Sequence, residues 1–137
     1  NIDDYDNGGQ KTNFYSSADI ALSPDMVWGA VINILPIKDT ELNLISKFVG
    51  RQYLDNTQND NRKLDPYFTQ DAQFIYTISN RWLKEVQIIL QANNIFNELY
   101  EPNGYTFSYY YGGNLTTEKY YYPMAGSNFV VAVNVKL

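Results

Sequence analysis

The chain has 137 residues and a mass of 15.8 kDa, enough for one ordinary domain and too few for two. Ten Lys and Arg against fifteen Asp and Glu leave a net charge of -5, without the clustered cations that a nucleic-acid backbone demands. The lack of any His or Cys excludes disulfides, thiolate nucleophiles, His bases and the usual zinc and iron ligand sets.

Hydrophobic residues make up 45% and aromatics 16%, with thirteen Tyr, a balance that favours packed strands over disorder or helices. The chain opens at Asn1 with no initiator Met and no apolar leader, so it is expected to be a mature product or an excised piece of something longer. No stretch approaches the roughly 18 apolar residues of a membrane-spanning helix. Barrel strands escape that test, because they alternate.

Residues 1–13 are polar and carry Gly8-Gly9, which predicts a loop. Over 14–22, Phe14, Ser16, Ala18, Ile20 and Leu22 alternate with Tyr15, Ser17 and Asp19, which predicts a first strand, and Ser23-Pro24-Asp25 predicts a turn. Met26, Trp28, Ala30, Ile32 and Ile34 line one face of a second strand. After a short turn over 36–40, Leu42, Leu44, Phe48 and Leu54 share a face of a third, with Asn43, Lys47 and Arg51 opposite. A polar loop over 55–66 leads to a fourth strand bearing Phe68, Ala72, Phe74, Tyr76 and Ile78 on one face. A turn over 79–81 precedes the cleanest strand, with Val86, Ile88, Leu90 and Ala92 against Glu85, Gln87, Gln91 and Asn93. The Tyr-rich segment over 100–122 reads as an extended hairpin arm or a large loop, with Gly112-Gly113 near its tip. A last strand alternates Phe129, Val131, Val133, Val135 and Leu137 with Val130, Ala132, Asn134 and Lys136.

Period-two alternation means sheets with one apolar and one wet face. Strands of roughly 9–14 residues exceed the usual length of about 5–6. Short turns near Pro36 and Asn80 and long ones near Asn59 and Gly112 alternate along the chain, the pattern of an outer-membrane barrel. A β-sandwich with long strands is the soluble counterpart. Six strands cannot close a barrel, which needs about eight. The chain is therefore expected to be one sector of a larger barrel or to pair with other copies.

The segment Asn94-Ile95-Phe96-Asn97-Glu98-Leu99-Tyr100 resembles the Asn-Leu-Phe-Asp-x-x-Tyr signature of TonB-dependent outer-membrane receptors, in the form found in Bacteroidetes-type bacteria. Other segments accompany it in the family's order from about residue 14 to the end: Ser23-Pro24, the run from Phe48 to Thr57, Leu64-Asp65-Pro66-Tyr67-Phe68, Glu101-Pro102-Asn103-Gly104-Tyr105 and Tyr122-Pro123-Met124-Ala125-Gly126. The last residue is Leu137 where the family usually ends in Phe. Leu keeps the terminal side chain apolar.

The resemblance implies an all-β fold, an antiparallel transmembrane β-barrel segment comprising roughly the last six strands of a 22-stranded, plugged barrel. Residues 1–137 would be the C-terminal part of the barrel domain, with the plug and the TonB-contacting segment outside them. Such receptors reside in the outer membrane and import bulky nutrients (ferric siderophores, haem, cobalamin, some glycans) with energy from TonB. The implied partners are the plug and remaining strands of the same receptor, the lipid bilayer, TonB through the absent N-terminal part, the imported ligand and the barrel-assembly machinery. No cofactor and no nucleic acid are implied. Val86, Ile88 and Leu90 would meet lipid, while Gln87, Gln91 and Asn93 would face the lumen. Lys47 and Arg51, on the same wet side, would meet plug acids. Phe129, Val131, Val133, Val135 and Leu137 resemble the C-terminal assembly signal, although any lipid-facing strand needs the same alternation.

Tyr109, Tyr110, Tyr111 and Tyr120 are candidate ligand contacts on the long-loop side, where such aromatics stack on a planar ligand, a sugar ring or a cap protein. An interfacial aromatic belt uses the same residues. Asp60, Asp65 and Glu118 are read as solvated loop charge, with cation binding the sharper alternative. No carboxylate spacing demands acid–base work and no nucleophile adjoins a base, so no enzyme is expected. Two further functions stay open: a soluble glycan-binding β-sandwich, and an adhesive or structural surface protein whose sheet edges pair between copies.

Overall fold

A computed structural model describes residues 2–6, 9–14, 17–79, 81 and 84–136. Among them there is no helix, and every strand pair is antiparallel. The strands are β1 (Ile2–Asp6), β2 (Gly9–Asn13), β3 (Val27–Ile34), β4 (Thr40–Val49), β5 (Gln52–Tyr53), β6 (Lys63–Leu64), β7 (Tyr67–Ile78), β8 (Glu85–Asn93), β9 (Asn103–Tyr111), β10 (Asn114–Tyr122) and β11 (Asn128–Lys136). The chain is all-β. It divides into two compact units, one of residues 1–25, 50–65 and 101–123 and the other of 26–49, 66–100 and 124–137.

The second unit is a five-stranded sheet in the order β11-β8-β7-β4-β3. Its register aligns Ile34, Leu42, Phe74, Leu90 and Val131 in one cross-strand row, and Ile32, Leu44, Ala72, Ala92 and Phe129 in the next. Because directly opposed residues point to the same side, these rows make one apolar face. At its end nearest Val49 stand Trp28, Phe48, Phe68 and Phe96, with ring centroids 5.9 Å apart for Trp28–Phe48, 5.8 Å for Trp28–Phe68 and 6.3 Å for Phe68–Phe96. Ser46 and Gln70 lie within that face and satisfy each other, the hydroxyl donating to Gln70 Oε1 at 2.6 Å. The face is open: Phe129 is 79% exposed, Val131 69% and Ile32 56%.

The opposite face carries a continuous run of side-chain amides. Asn33 Nδ2 donates to Asn43 Oδ1 (2.8 Å), Asn43 Nδ2 to Gln73 Oε1 (3.3 Å), and Gln73 Nε2 to Gln91 Oε1 (3.1 Å). The run then steps along β8, Gln91 Nε2 donating to Asn93 Oδ1 (2.6 Å), and crosses to β11 through Asn93 Nδ2 and Asn128 Oδ1 (2.8 Å). All five strands are tied by it. Within the run each amide donates to the next in the order β3 to β11, an alignment in which each bond polarises the next. Asn33 and Asn43 both also donate to Glu41 Oε1 (2.6 and 2.9 Å).

The first unit holds three two-stranded pairs, β1-β2, β5-β6 and β9-β10. Its small core is Tyr53, Leu54 and Leu64, the last only 2% exposed. The hairpin β9-β10 turns through Gly112 and Gly113, both at positive φ (59° and 79°), the geometry a two-residue loop between right-twisted strands requires. At its root, Gly104 opposes Tyr121.

Several expectations need correction. Residues 2–6 and 9–13 form a hairpin rather than a loop, because backbone pairing needs no apolar face and leaves no hydropathy signal. The strand expected over 14–22 is absent from its described residues, and Tyr15 and Ser16 lie outside them. Leu22 sits at φ 57°, its amide donates to the Tyr53 carbonyl (2.8 Å) and the Ala21 amide to Asn56 Oδ1 (2.7 Å). Those donors are taken singly by β5 and by the turn after it, so no ladder forms. The main sheet accordingly has five strands where six were expected. The third strand stops at Val49: Leu54 is core of the first unit, and Arg51 lies over the Tyr53 ring at 5.2 Å instead of beside Lys47. Asn80 of the expected turn and the terminal Leu137 lie outside the described residues.

A Cβ on Gly104 would stand 2.7 Å from the Tyr120 carbonyl oxygen and 3.2 Å from the Leu54 side chain. Gly104→Ala is therefore expected to cost about 1–3 kcal/mol and to speed amide exchange along β9 and β10. Hydrogen-exchange mass spectrometry with unchanged rates would show that the strand shifts aside without loss.

Candidate functional site

Two places gather the residues singled out by the sequence. The first is the turn after β8. Asn94, 5% exposed, and Asn97 both adopt left-handed backbone, φ 51° and 53°, a region where Asn is the best tolerated residue after Gly. The Asn94 side chain closes a loop on itself, donating to the Glu98 carbonyl (2.8 Å) and accepting from the Glu98 amide (2.9 Å). Its own amide donates to Asp71 Oδ1 (2.7 Å), and the Ile95 amide donates to the Gln70 carbonyl (2.8 Å). The returning chain is stitched to the same turn: Ser127 Oγ donates to the Asn94 carbonyl (2.6 Å) and the Ser127 amide to Asn97 Oδ1 (3.0 Å). Tyr100 stacks on Tyr67 with centroids 4.0 Å apart, and Phe96 joins the aromatic row through Phe68. Ile95 is exposed. The arrangement does mechanical work, locking the exit from β8 to the entry into β11.

The second place is the hairpin β9-β10. Its register puts Tyr105, Phe107, Tyr109 and Tyr111 on one side with Glu118, Tyr120 and Tyr122. The rings form a row: Tyr105–Tyr120 at 5.0 Å, Tyr105–Tyr122 at 6.1 Å, Phe107–Tyr120 at 6.2 Å and Phe107–Tyr109 at 5.9 Å between centroids. Glu118 sits among them and accepts from two phenols, Tyr109 (2.8 Å) and Tyr120. The hydrogen bonds from Tyr120 and then Tyr109 hold the Glu118 carboxyl below the usual carboxylate range, and the same bonds push both phenols up. The row is half-exposed along its length, so it offers a flat aromatic surface with one fixed carboxylate.

Of the expected contacts, Tyr109 and Tyr120 are in this row and Tyr111 is beside the turn on the same side. Tyr110 is on the other side, opposed to Leu115. Tyr122, from the second run of consecutive tyrosines, joins the row, as do Tyr105 and Phe107, which stand outside both runs. Their signal was the period of two in Tyr105-x-Phe107-x-Tyr109 and Glu118-x-Tyr120-x-Tyr122. Phe129, Val131, Val133 and Val135 share the apolar face of β11, an edge strand. Asp60 pairs with Lys63 at 3.3 Å. Among the described residues no group of three or more His, Cys, Asp or Glu is placed to hold a metal ion, and no helix is long and apolar enough to cross a membrane.

Comparison with protein-family models, curated proteins and solved structures returns no match.

Asn94→Ala removes both bonds to Glu98 from a buried position and is expected to destabilise the sheet by about 1–3 kcal/mol. Denaturant unfolding with an unshifted midpoint would contradict the locking role. Glu118→Gln replaces the carboxylate whose hydrogen bonds, and secondarily its charge, hold the phenols up, so the Tyr109 and Tyr120 ionisations are expected to move down toward ordinary tyrosine. Ultraviolet titration of phenolate formation, compared with the unaltered chain, reads this directly.

Proposed function

We propose that the chain is the C-terminal barrel segment of a TonB-dependent outer-membrane receptor, which imports a bulky nutrient such as a ferric siderophore, haem or cobalamin. The observation that carries the reading is the two-sided sheet of the second unit. One face is apolar and open, and the polar side chains Ser46, Gln70 and Thr40 within it are satisfied internally, Ser46 by Gln70 and the Thr40 hydroxyl by the Ile37 carbonyl (2.8 Å), as a hydrocarbon environment demands. The other face is a hydrogen-bonded amide wall suited to a hydrated lumen.

Three features support the same reading. Both edges of the sheet, β3 and β11, have one neighbour each, as in a sector cut from a closed barrel. The connections over 35–39 and 79–84 are short and leave one end, whereas those over 50–66 and 94–127 are long and leave the other. The aromatic row of Trp28, Phe48, Phe68 and Phe96 stands at the long-connection end, where an interfacial girdle would lie. In this reading the hairpin β9-β10 belongs to an extracellular loop and its tyrosines touch the incoming ligand. The plug, the other strands, TonB, lipid and the assembly machinery are the partners, and the chain has a binding and structural role rather than a catalytic one. A soluble glycan-binding sandwich would use the same tyrosines but needs a second sheet against Ile32, Leu90 and Val131, which are exposed.

The test compares neighbouring positions on opposite faces, in the full-length receptor of the native organism. Ile88→Arg places a charge among the apolar rows and is expected to cost about 2–4 kcal/mol at the bilayer midplane, depleting the outer-membrane band whose gel mobility shifts on boiling. Gln87→Arg, on the wet face, is expected to leave that band in place. A soluble, unshifted band of the chain's own mass for the unaltered protein would overturn the receptor reading and favour the sandwich.

A further inference from the structure

We propose that the first unit binds a small oxyanion group, a phosphate or its like, in the hollow between Arg62 and Lys119. The inference goes beyond the receptor reading and does not depend on it. The hollow, of about 230 Å³, is lined by Asn59, Asn61, Arg62, Thr117 and Lys119. Two of these five residues are cations and none is a carboxylate, in a chain whose net charge is -5.

Both head groups are already held. Arg62 Nη1 donates to Asp55 Oδ2 at 2.7 Å and Nη2 to Thr117 Oγ1 at 2.9 Å. Lys119 Nζ donates to the Asn61 carbonyl at 2.9 Å. The Arg62 side chain is 15% exposed, so its position is set by packing as well as by bonding. An anion arriving here would therefore order little that is not ordered beforehand, which is the main saving a preorganised site makes.

Donors remain after these contacts. The ammonium has three N–H groups and the guanidinium five, more than the bonds just named consume. The Asn59 side-chain oxygen is occupied by the Asn61 amide (2.9 Å), which leaves its NH₂ end as the free function. Asp55 offsets one of the two positive charges, and its carboxyl is held below the usual carboxylate range: burial raises it, but the Thr57 hydroxyl, the Arg62 guanidinium and the Thr57 amide together outweigh that. One positive charge is left facing a donor-rich polar wall. A cation would be repelled, and an apolar group would find nothing to bury. A single oxyanion group satisfies both the charge and the donors, by charge-assisted hydrogen bonds. Such a group could be a free ion or a substituent on a sugar.

The experiment titrates inorganic phosphate, glucose 6-phosphate and glucose into the detergent-solubilised full chain at constant ionic strength set with chloride. Amide shifts are followed by NMR for residues 59–62 and 117–119. Saturable shifts with inorganic phosphate are expected, together with a loss of affinity of about tenfold or more in Lys119→Gln. Tighter binding of glucose 6-phosphate than of phosphate would assign the site to a ring-borne group, and equal binding to the free ion. Shifts no larger than those with chloride overturn the proposal. So does saturable binding that survives unchanged in both Lys119→Gln and Arg62→Lys, the second variant keeping the charge while removing the forked guanidinium. Neither readout involves transport or membrane insertion, so failure here is separate from failure of the receptor reading.

Discussion

Beside the backbone ladders, one line of amide hydrogen bonds ties all five strands of the main sheet, from Asn33 through Asn43, Gln73 and Gln91 to Asn93 and Asn128. A slip of one residue in any strand would break that line and turn every apolar side chain to the wet side. The consequence is the sorting of the opposite face: with Asn43 opposed to Gln73, Leu42 must oppose Phe74 and Leu44 must oppose Ala72. The apolar face is thus specified from its back. Apolar contacts alone would do this poorly, since Leu, Ile and Val rows tolerate being shifted by two, whereas an amide needs both a donor and an acceptor at hydrogen-bond distance.

The regular part of this fold is legible in the sequence and the irregular part is not. Strands β3, β8 and β11 follow from unbroken alternation of apolar residues, and β7 from the same alternation interrupted at Gln70, because a sheet with one apolar face must repeat every second residue. The hairpin β1-β2 leaves no such trace, since Ile2–Asp6 and Gly9–Asn13 pair through their backbones with almost no apolar residue between them. The segment at 17–22 errs in the other direction. Its weak alternation suggests a strand, yet the Ala21 and Leu22 amides are taken by Asn56 and Tyr53, residues more than thirty positions away that no local pattern can indicate.

The candidate sites divide in the same way. The string Asn94-Ile95-Phe96-Asn97 is conspicuous as a string, but its work depends on two left-handed Asn residues and on Ser127, which returns from far along the chain. The tyrosines are conspicuous as composition, but only the register tells Tyr109 from Tyr110. Arg62 and Lys119 carry no sequence signal as a pair. They meet because β10 passes the loop over 55–62, and sequence separation hides every relation of that kind.

The hairpin β9-β10 brings these strands of argument together, because an isolated two-stranded hairpin is marginal in water and this one must be stabilised through one of its two sides. Gly104 admits Leu54 against its root, Thr117 receives Arg62 and Lys119 reaches the Asn61 carbonyl; all belong to the side that carries Thr106, Ser108, Thr117 and Lys119. The aromatic row lies on the other side and takes no part in that anchoring. Its rings are braced by one another and by Glu118, so they stay exposed without being loose. The contacts Tyr105–Tyr120, Phe107–Tyr120 and Tyr109–Glu118 cross from β9 to β10 and tie the two strands to each other, while the outer surface of the row stays half-exposed. The anchoring side sets how firmly the row is presented, and weakening Arg62 or Lys119 would therefore loosen the aromatic surface across the hairpin without touching a single tyrosine.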